Sequence, residues 1–70
     1  MAEETGVKRA IREAGGKQQL ADGLGITYQA VAKFERQGWL PLERAKATEG
    51  MYGIPLKDLV RPDIAAVMTA

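Results

Sequence analysis

Residues 17–36 read KQQLADGLGITYQAVAKFER, and apolar side chains recur at helical spacing on both sides of Gly25. Residues three and four positions apart share one face of a helix, so each side carries one apolar stripe. The stripes are Leu20, Ala21 and Leu24 before the glycine, and Ala30, Val31 and Phe34 after it. The pattern predicts two helices, residues 17–24 and 28–36, that pack across a tight turn as a helix-turn-helix.

The turn between these helices carries its own local signals. Gly25 suits the left-handed conformation in which many helices end. We expect Ile26 to fill the turn and the hydroxyl of Thr27 to cap the second helix. The small side chain of Ala21 allows the two helices to approach closely.

A first helix is predicted over residues 4–14. Thr5 is a candidate cap, and Glu3 and Glu4 suit the positive end of the helix dipole. The inner side of this helix consists of Val7, Ala10, Ile11 and Ala14.

Two prolines predict two further helices. Pro41 fits the first turn of a fourth helix, which starts at residue 41 or 42 and runs to about 51, before Gly53. The buried side of this helix is either Leu42, Ala45 and Glu49 or Ala45, Thr48 and Tyr52. Pro55–Val60 predicts a short fifth helix, which Arg61-Pro62 ends. The buried side of that helix is Leu56, Leu59 and Val60.

The last segment, residues 63–70, leaves three conformations open: a sixth half-helix, a short strand or a frayed tail. We therefore divide the chain into a helical domain, residues 1–64, and an apolar tail, residues 65–70. The apolar side chains from Ile64 to Met68 are a candidate surface for a homodimer, or they cover the core of the domain itself. No segment alternates with period two, so we expect an all-α chain without a sheet.

Composition narrows the function classes. The chain has 70 residues with no cysteine and no histidine, which removes the commonest zinc ligands and the commonest general base. We therefore expect no enzyme activity, no metal and no cofactor. The charged start has no signal-peptide core, no apolar run reaches membrane length, and a cytoplasmic protein is expected. The net charge is only +1, so a surface that binds nucleic acid requires basic residues to be concentrated on one face of the domain.

The outer side of the helix over 28–36 carries side chains that suit DNA. Glutamine pairs with adenine, lysine donates to guanine, and a small alanine permits close approach in the major groove. We expect base contacts from Tyr28, Gln29, Ala32 and Lys33 and phosphate contacts from Lys17, Gln18, Thr27 and Arg36. Two alternatives stay open, because Tyr28 can instead pack on Ile26 and Arg36 can instead pair with Glu35 or Glu43.

The combined motifs resemble the helix-turn-helix of Cro/CI-type phage repressors, and the wider frame is similar to the YdaS-like family of prophage Cro-like regulators and antitoxins. The similarity covers about residues 5–64. It is carried by Gly15-Gly16, Gln19-Leu20-Ala21, Leu24-Gly25-Ile26, Gln29-Ala30-Val31, Phe34, Gly38-Trp39-Leu40-Pro41, Glu43-Arg44-Ala45, Leu59 and Arg61-Pro62-Asp63-Ile64. The resemblance implies an all-α, five-helix lambda-repressor-like DNA-binding domain whose third helix reads DNA.

Three positions depart from that family pattern. Lys17 stands where glutamine is more common, which removes a directed amide contact to phosphate. Gly23 and Gly50 lie inside predicted helices, and each should cost about 1 kcal/mol relative to alanine.

The expected function is a sequence-specific transcription regulator of the phage or prophage Cro-like type. Such a repressor acts by occupying a duplex-DNA operator, which we expect to be palindromic. Two alternatives are an antitoxin that represses its own promoter and binds a toxin, and a helical adaptor between proteins without specific DNA binding.

Overall fold

The computed structural model describes residues 5–69, and side chains as far as residue 67. This part of the chain is all-α, with five α-helices, one short 3₁₀ turn and no strand. The elements are α1 (Gly6–Ala14), α2 (Lys17–Leu24), α3 (Tyr28–Gln37), α4 (Leu42–Tyr52), the 3₁₀ turn (Leu56–Asp58) and α5 (Pro62–Thr69). The predicted contributions of Glu3, Glu4 and the side chain of Met68 lie outside the described residues.

Local capping explains where α1, α2 and α3 begin or end. The hydroxyl of Thr5 accepts a hydrogen bond from the Lys8 N–H, and that of Thr27 accepts one from the Ala30 N–H, each at 3.1 Å. Gly25 ends α2 with φ of 70°, a left-handed conformation that glycine adopts without steric cost. The predicted caps and the predicted turn between α2 and α3 are therefore confirmed.

The core lies where α2 and α3 pack on each other and on α1 and α4. Leu20 and Ala21 of α2 and Val31 of α3 are fully buried, and Ile26 and Phe34 are partly buried against this cluster. The members of the buried cluster are Val7, Ala10, Leu20, Ala21, Leu24, Val31, Leu40, Ala45, Ile54, Leu59 and Val60. Both predicted stripes thus point inward, although Ala30 is only half-buried.

The structure decides between the two sides proposed for α4. Ala45 and Thr48 are buried and Tyr52 packs partly against the core, whereas Leu42 and Glu49 are exposed. The Thr48 hydroxyl donates a hydrogen bond of 2.7 Å to the carbonyl of Arg44, which satisfies this buried polar group within its own helix. The buried side of α4 is therefore the one that contains Ala45, Thr48 and Tyr52.

The prediction of a helix over Pro55–Val60 is wrong. This segment forms only the 3₁₀ turn Leu56–Asp58, and the fifth α-helix begins at Pro62, where the sequence pattern predicted a stop. A proline tolerates the first position of a helix because its missing N–H has no partner there, so Pro62 can start α5 as easily as end a preceding helix. Leu59 and Val60 are buried as predicted, but Leu56 is only half-buried.

The chain after residue 61 is helical, so the alternatives of a strand and a frayed tail do not apply to Pro62–Thr69. The helix α5 crosses the boundary that we placed between residues 64 and 65. Ile64 and Ala65 pack partly against the core, whereas the side chain of Val67 is 76% exposed. The apolar segment thus covers part of the domain and leaves part of its surface open.

Contacts with α1, with α4 and with the segment between α3 and α4 hold the 3₁₀ turn in place. The Leu40 N–H donates to the Leu59 carbonyl at 2.6 Å, and the carboxylate of Glu49 accepts from the Leu56 N–H at 2.8 Å. Gly6 of α1 lies so close to the turn that a methyl group there would be 2.2 Å from the carbonyl oxygen of Asp58. These contacts join the C-terminal segment to α1 and α4 and leave the outer side of α3 uncovered.

Candidate nucleic-acid interface

The outer side of α3 is an exposed polar stripe, called the α3 stripe below. Tyr28, Gln29, Lys33 and Arg36 are exposed, and Ala32 lies between them, half-buried. At 100° per residue these five positions cover one continuous arc of the helix, opposite the buried Val31. The structure therefore brings all four predicted base-contacting residues and Arg36 together on one face.

Thr27 lies at the start of this stripe and its side chain already has a structural partner. Its hydroxyl oxygen accepts the Ala30 N–H. A hydroxyl has one donor hydrogen besides its lone pairs, so the capping bond leaves the hydrogen available to a phosphate oxygen. Capping and phosphate contact are compatible at this position.

Lys17, at the start of α2, is paired within the protein. Its ammonium nitrogen lies 2.9 Å from a carboxylate oxygen of Glu35 and 5.9 Å from the ring centre of Tyr28. The hydrogen bond and the charge of Glu35, together with the nearby Tyr28, raise the pKa of Lys17 above its usual 10.5. The expected free cation at the front of α2 is instead half of an ion pair that joins α2 to α3.

Sequence reasoning missed Glu35 as the partner of Lys17. The sequence indicates Glu35 only as a partner for Arg36, its neighbour in the chain. The two residues of the pair are on different helices, and only the crossing of α2 and α3 brings them together. Within residues 5–69 Arg36 forms no ion pair, which leaves its charge on the α3 stripe.

Gln18 is also engaged. Its side-chain amide donates a hydrogen bond of 2.9 Å to the carboxylate of Asp22, one turn further along α2. Gly16 precedes α2 and has no side chain to cap it. Of the predicted phosphate contacts, Thr27 and Arg36 keep free donors, whereas Lys17 and Gln18 would have to exchange a protein partner for a phosphate.

Trp39, which lies just after α3, makes structural contacts with Arg61 and Gln37. It follows α3, is half-buried, and the guanidinium of Arg61 lies 5.5 Å from the centre of its ring. The side-chain amide of Gln37 donates to the backbone carbonyl of Trp39 at 2.9 Å, and Arg61 also pairs with Asp63 at 3.2 Å. These contacts connect the end of α3 to the start of α5.

Within residues 5–69, no group of histidine, cysteine, aspartate or glutamate side chains is arranged to hold a metal ion. In the same part of the chain, no helix is long and apolar enough to span a bilayer. No family model matches the chain, and no curated protein or solved structure is similar enough to count as a relative.

Proposed function

We propose that this protein binds duplex DNA as a helix-turn-helix, with α3 in the major groove, and acts as a transcription regulator. The observation that carries the proposal is the α3 stripe. It combines two cations that form no ion pair within residues 5–69, a glutamine, a tyrosine and a small central alanine on one exposed face. A helix of this width fits the major groove, and these side chains match base edges and phosphates.

The stripe suggests a role for each base contact. Gln29 can pair bidentately with adenine, and Lys33, one turn further, can donate to guanine. The small, half-buried Ala32 lies between them on the helix and permits close approach to a base pair or a thymine methyl. Tyr28 is 45% exposed at the start of α3, where its hydroxyl can donate to DNA. The alternative packing of Tyr28 on Ile26 is less consistent with that exposure.

Backbone contacts would position α3 in the groove. Thr27 and Arg36 lie at opposite ends of the stripe, so they can reach phosphates on either side of the base contacts. Gln18 and Lys17 at the start of α2 would add to them only if they exchanged Asp22 and Glu35 for a phosphate. With a net charge of +1, affinity has to come from this one face rather than from the overall charge.

Regulation would follow from occupancy of an operator, as in a Cro-like repressor. One α3 contacts few base pairs, so two copies on a palindromic site would raise specificity, with half-sites about 34 Å apart. The helix α5 is the candidate dimer surface, because it packs on the 3₁₀ turn and leaves Val67 exposed. An antitoxin would bind DNA through the same face and a toxin elsewhere.

The test begins with selection of bound duplexes from a random pool and a record of footprint length. Lys33→Ala and Gln29→Ala should each weaken binding to the selected sequence by about 1–3 kcal/mol, measured by fluorescence anisotropy. Lys57→Ala is the matched control, since Lys57 is an exposed lysine in the 3₁₀ turn. It should leave sequence preference unchanged.

The outcomes separate the function classes. A steep loss of affinity with salt, together with relaxed preference in both α3 variants, supports a regulator that reads bases. Equal affinity for all duplexes would favour the protein–protein adaptor instead. An unchanged preference in both variants would refute the assignment of α3.

A further inference from the structure

We propose that Glu35 limits DNA affinity by holding Lys17 in an internal ion pair, so that Lys17 is silent as a phosphate contact until this pair opens. The inference builds on the proposed function, since it concerns how the α2–α3 unit meets the DNA backbone. It assigns a role in specificity to a residue that contacts no base.

The geometry favours a stable pair in the free protein. The ammonium of Lys17 lies 2.9 Å from the Glu35 carboxylate, and both side chains are about two-thirds covered, with 32% and 28% of their surfaces exposed. The ring of Tyr28 lies 5.9 Å from the same ammonium. Lys17 is therefore held between a carboxylate and an aromatic ring, at the edge of the α3 stripe.

The charge balance explains the effect on DNA. A closed lysine–glutamate pair is neutral and releases no counterion from DNA, whereas a free lysine on a phosphate contributes about 0.9 to the log–log salt slope. If Lys17 moves to a phosphate, it leaves the Glu35 carboxylate unpaired beside a polyanion. That repulsion opposes the new contact. The pair thus removes one sequence-independent contact and increases the share of binding that depends on bases.

The experiment is a double-mutant cycle that combines Glu35→Gln with Lys17→Ala. Affinity for a selected duplex and for a random duplex is measured between 0.05 M and 0.2 M salt. Glu35→Gln should steepen the salt slope by about 0.9, an additional change of about 3.5-fold in affinity over this range. In that background Lys17→Ala should remove the increment and return the slope to the wild-type value, since neither the wild type nor the double variant places a cation from this pair on a phosphate.

Glu43→Gln is the matched control, because it removes one exposed carboxylate from α4 without touching the pair. It should show no coupling to Lys17→Ala. Glu35→Ala gives a second route to the same result, and circular dichroism checks that each variant is folded. The preference for the selected duplex over the random one should fall in Glu35→Gln.

Two results would overturn the inference while DNA binding stands. One is a wild-type slope about 0.9 steeper than that of the double variant, which would mean that Lys17 contacts phosphate despite Glu35. The other is no loss of slope on Lys17→Ala in the Glu35→Gln background, which would mean that Lys17 is never a phosphate contact. Absence of DNA binding in every variant would instead reject the proposed function itself.

Discussion

The α2–α3 pair and the C-terminal segment after Gly53 both contain apolar residues at helical spacing, yet only for the first are the predicted boundaries right to within one residue. In α2–α3, Gly25 and Thr27 fix the end of one helix and the start of the next through their own backbone and hydroxyl. The C-terminal segment has two prolines, Pro55 and Pro62, and each is able to start a helix. Boundaries are thus predictable where local signals are unambiguous.

Contacts distant in sequence decide what the C-terminal segment does. The buried Leu59 is held by Leu40 through a backbone hydrogen bond, and Glu49 caps Leu56. These bonds stabilise a 3₁₀ turn after Pro55, and the longer helix, α5, begins at Pro62 instead. Local signals therefore set the helix boundaries in the α2–α3 pair, whereas contacts between distant residues set them in the C-terminal segment.

The largest expected effect tests whether tertiary packing makes Leu59 contribute more than Leu56 to the stability of the protein. Leu59→Ala should lower the free energy of unfolding by about 2–5 kcal/mol, because the side chain is fully buried and a cavity would remain. Leu56→Ala should cost about half as much or less, since Leu56 is only half-buried. Urea denaturation followed by circular dichroism measures both. Equal losses would restore the sequence-based view of one buried helical side.

A second, smaller effect tests the contact between α1 and the 3₁₀ turn. Gly6→Ala places a methyl group 2.2 Å from the Asp58 carbonyl oxygen, and backbone has to move to accommodate it. We expect a loss of about 1–3 kcal/mol in the free energy of unfolding, from the same denaturation experiment. A stabilised variant would show that the turn can shift at no cost, and that this contact does not hold it.

The smallest expected effect compares two glycines inside helices, Gly23 in α2 and Gly50 in α4. Sequence reasoning gave Gly23 and Gly50 the same cost, but the structure distinguishes them. Gly50→Ala meets nothing within 4 Å and should stabilise the protein by about 0.5–1 kcal/mol. Gly23→Ala would place its methyl 2.8 Å from the end of Met51 and 2.9 Å from the Tyr52 hydroxyl, so part of that gain is lost. Thermal melting of both variants checks the order, and an equal gain would contradict it.

As with the fold, one part of the candidate site could be predicted from the sequence and another part could not. The α3 stripe was predictable, because helical periodicity assigns Gln29, Lys33 and Arg36 to one face once Val31 is inside. The state of Lys17 was not predictable, since its partner lies on another helix. Charges that interact across helices depend on the crossing geometry, which no short-range pattern contains.

The sequence by itself determined an all-α chain, the α2–turn–α3 unit, its inward stripes and its outward polar face, because these follow from helical periodicity and from capping within a few residues. Only the tertiary structure decided which proline starts α5, which side of α4 is buried, and that Glu35 holds Lys17. Each of these depends on contacts between segments distant in the chain, where packing and hydrogen bonding outweigh local preference.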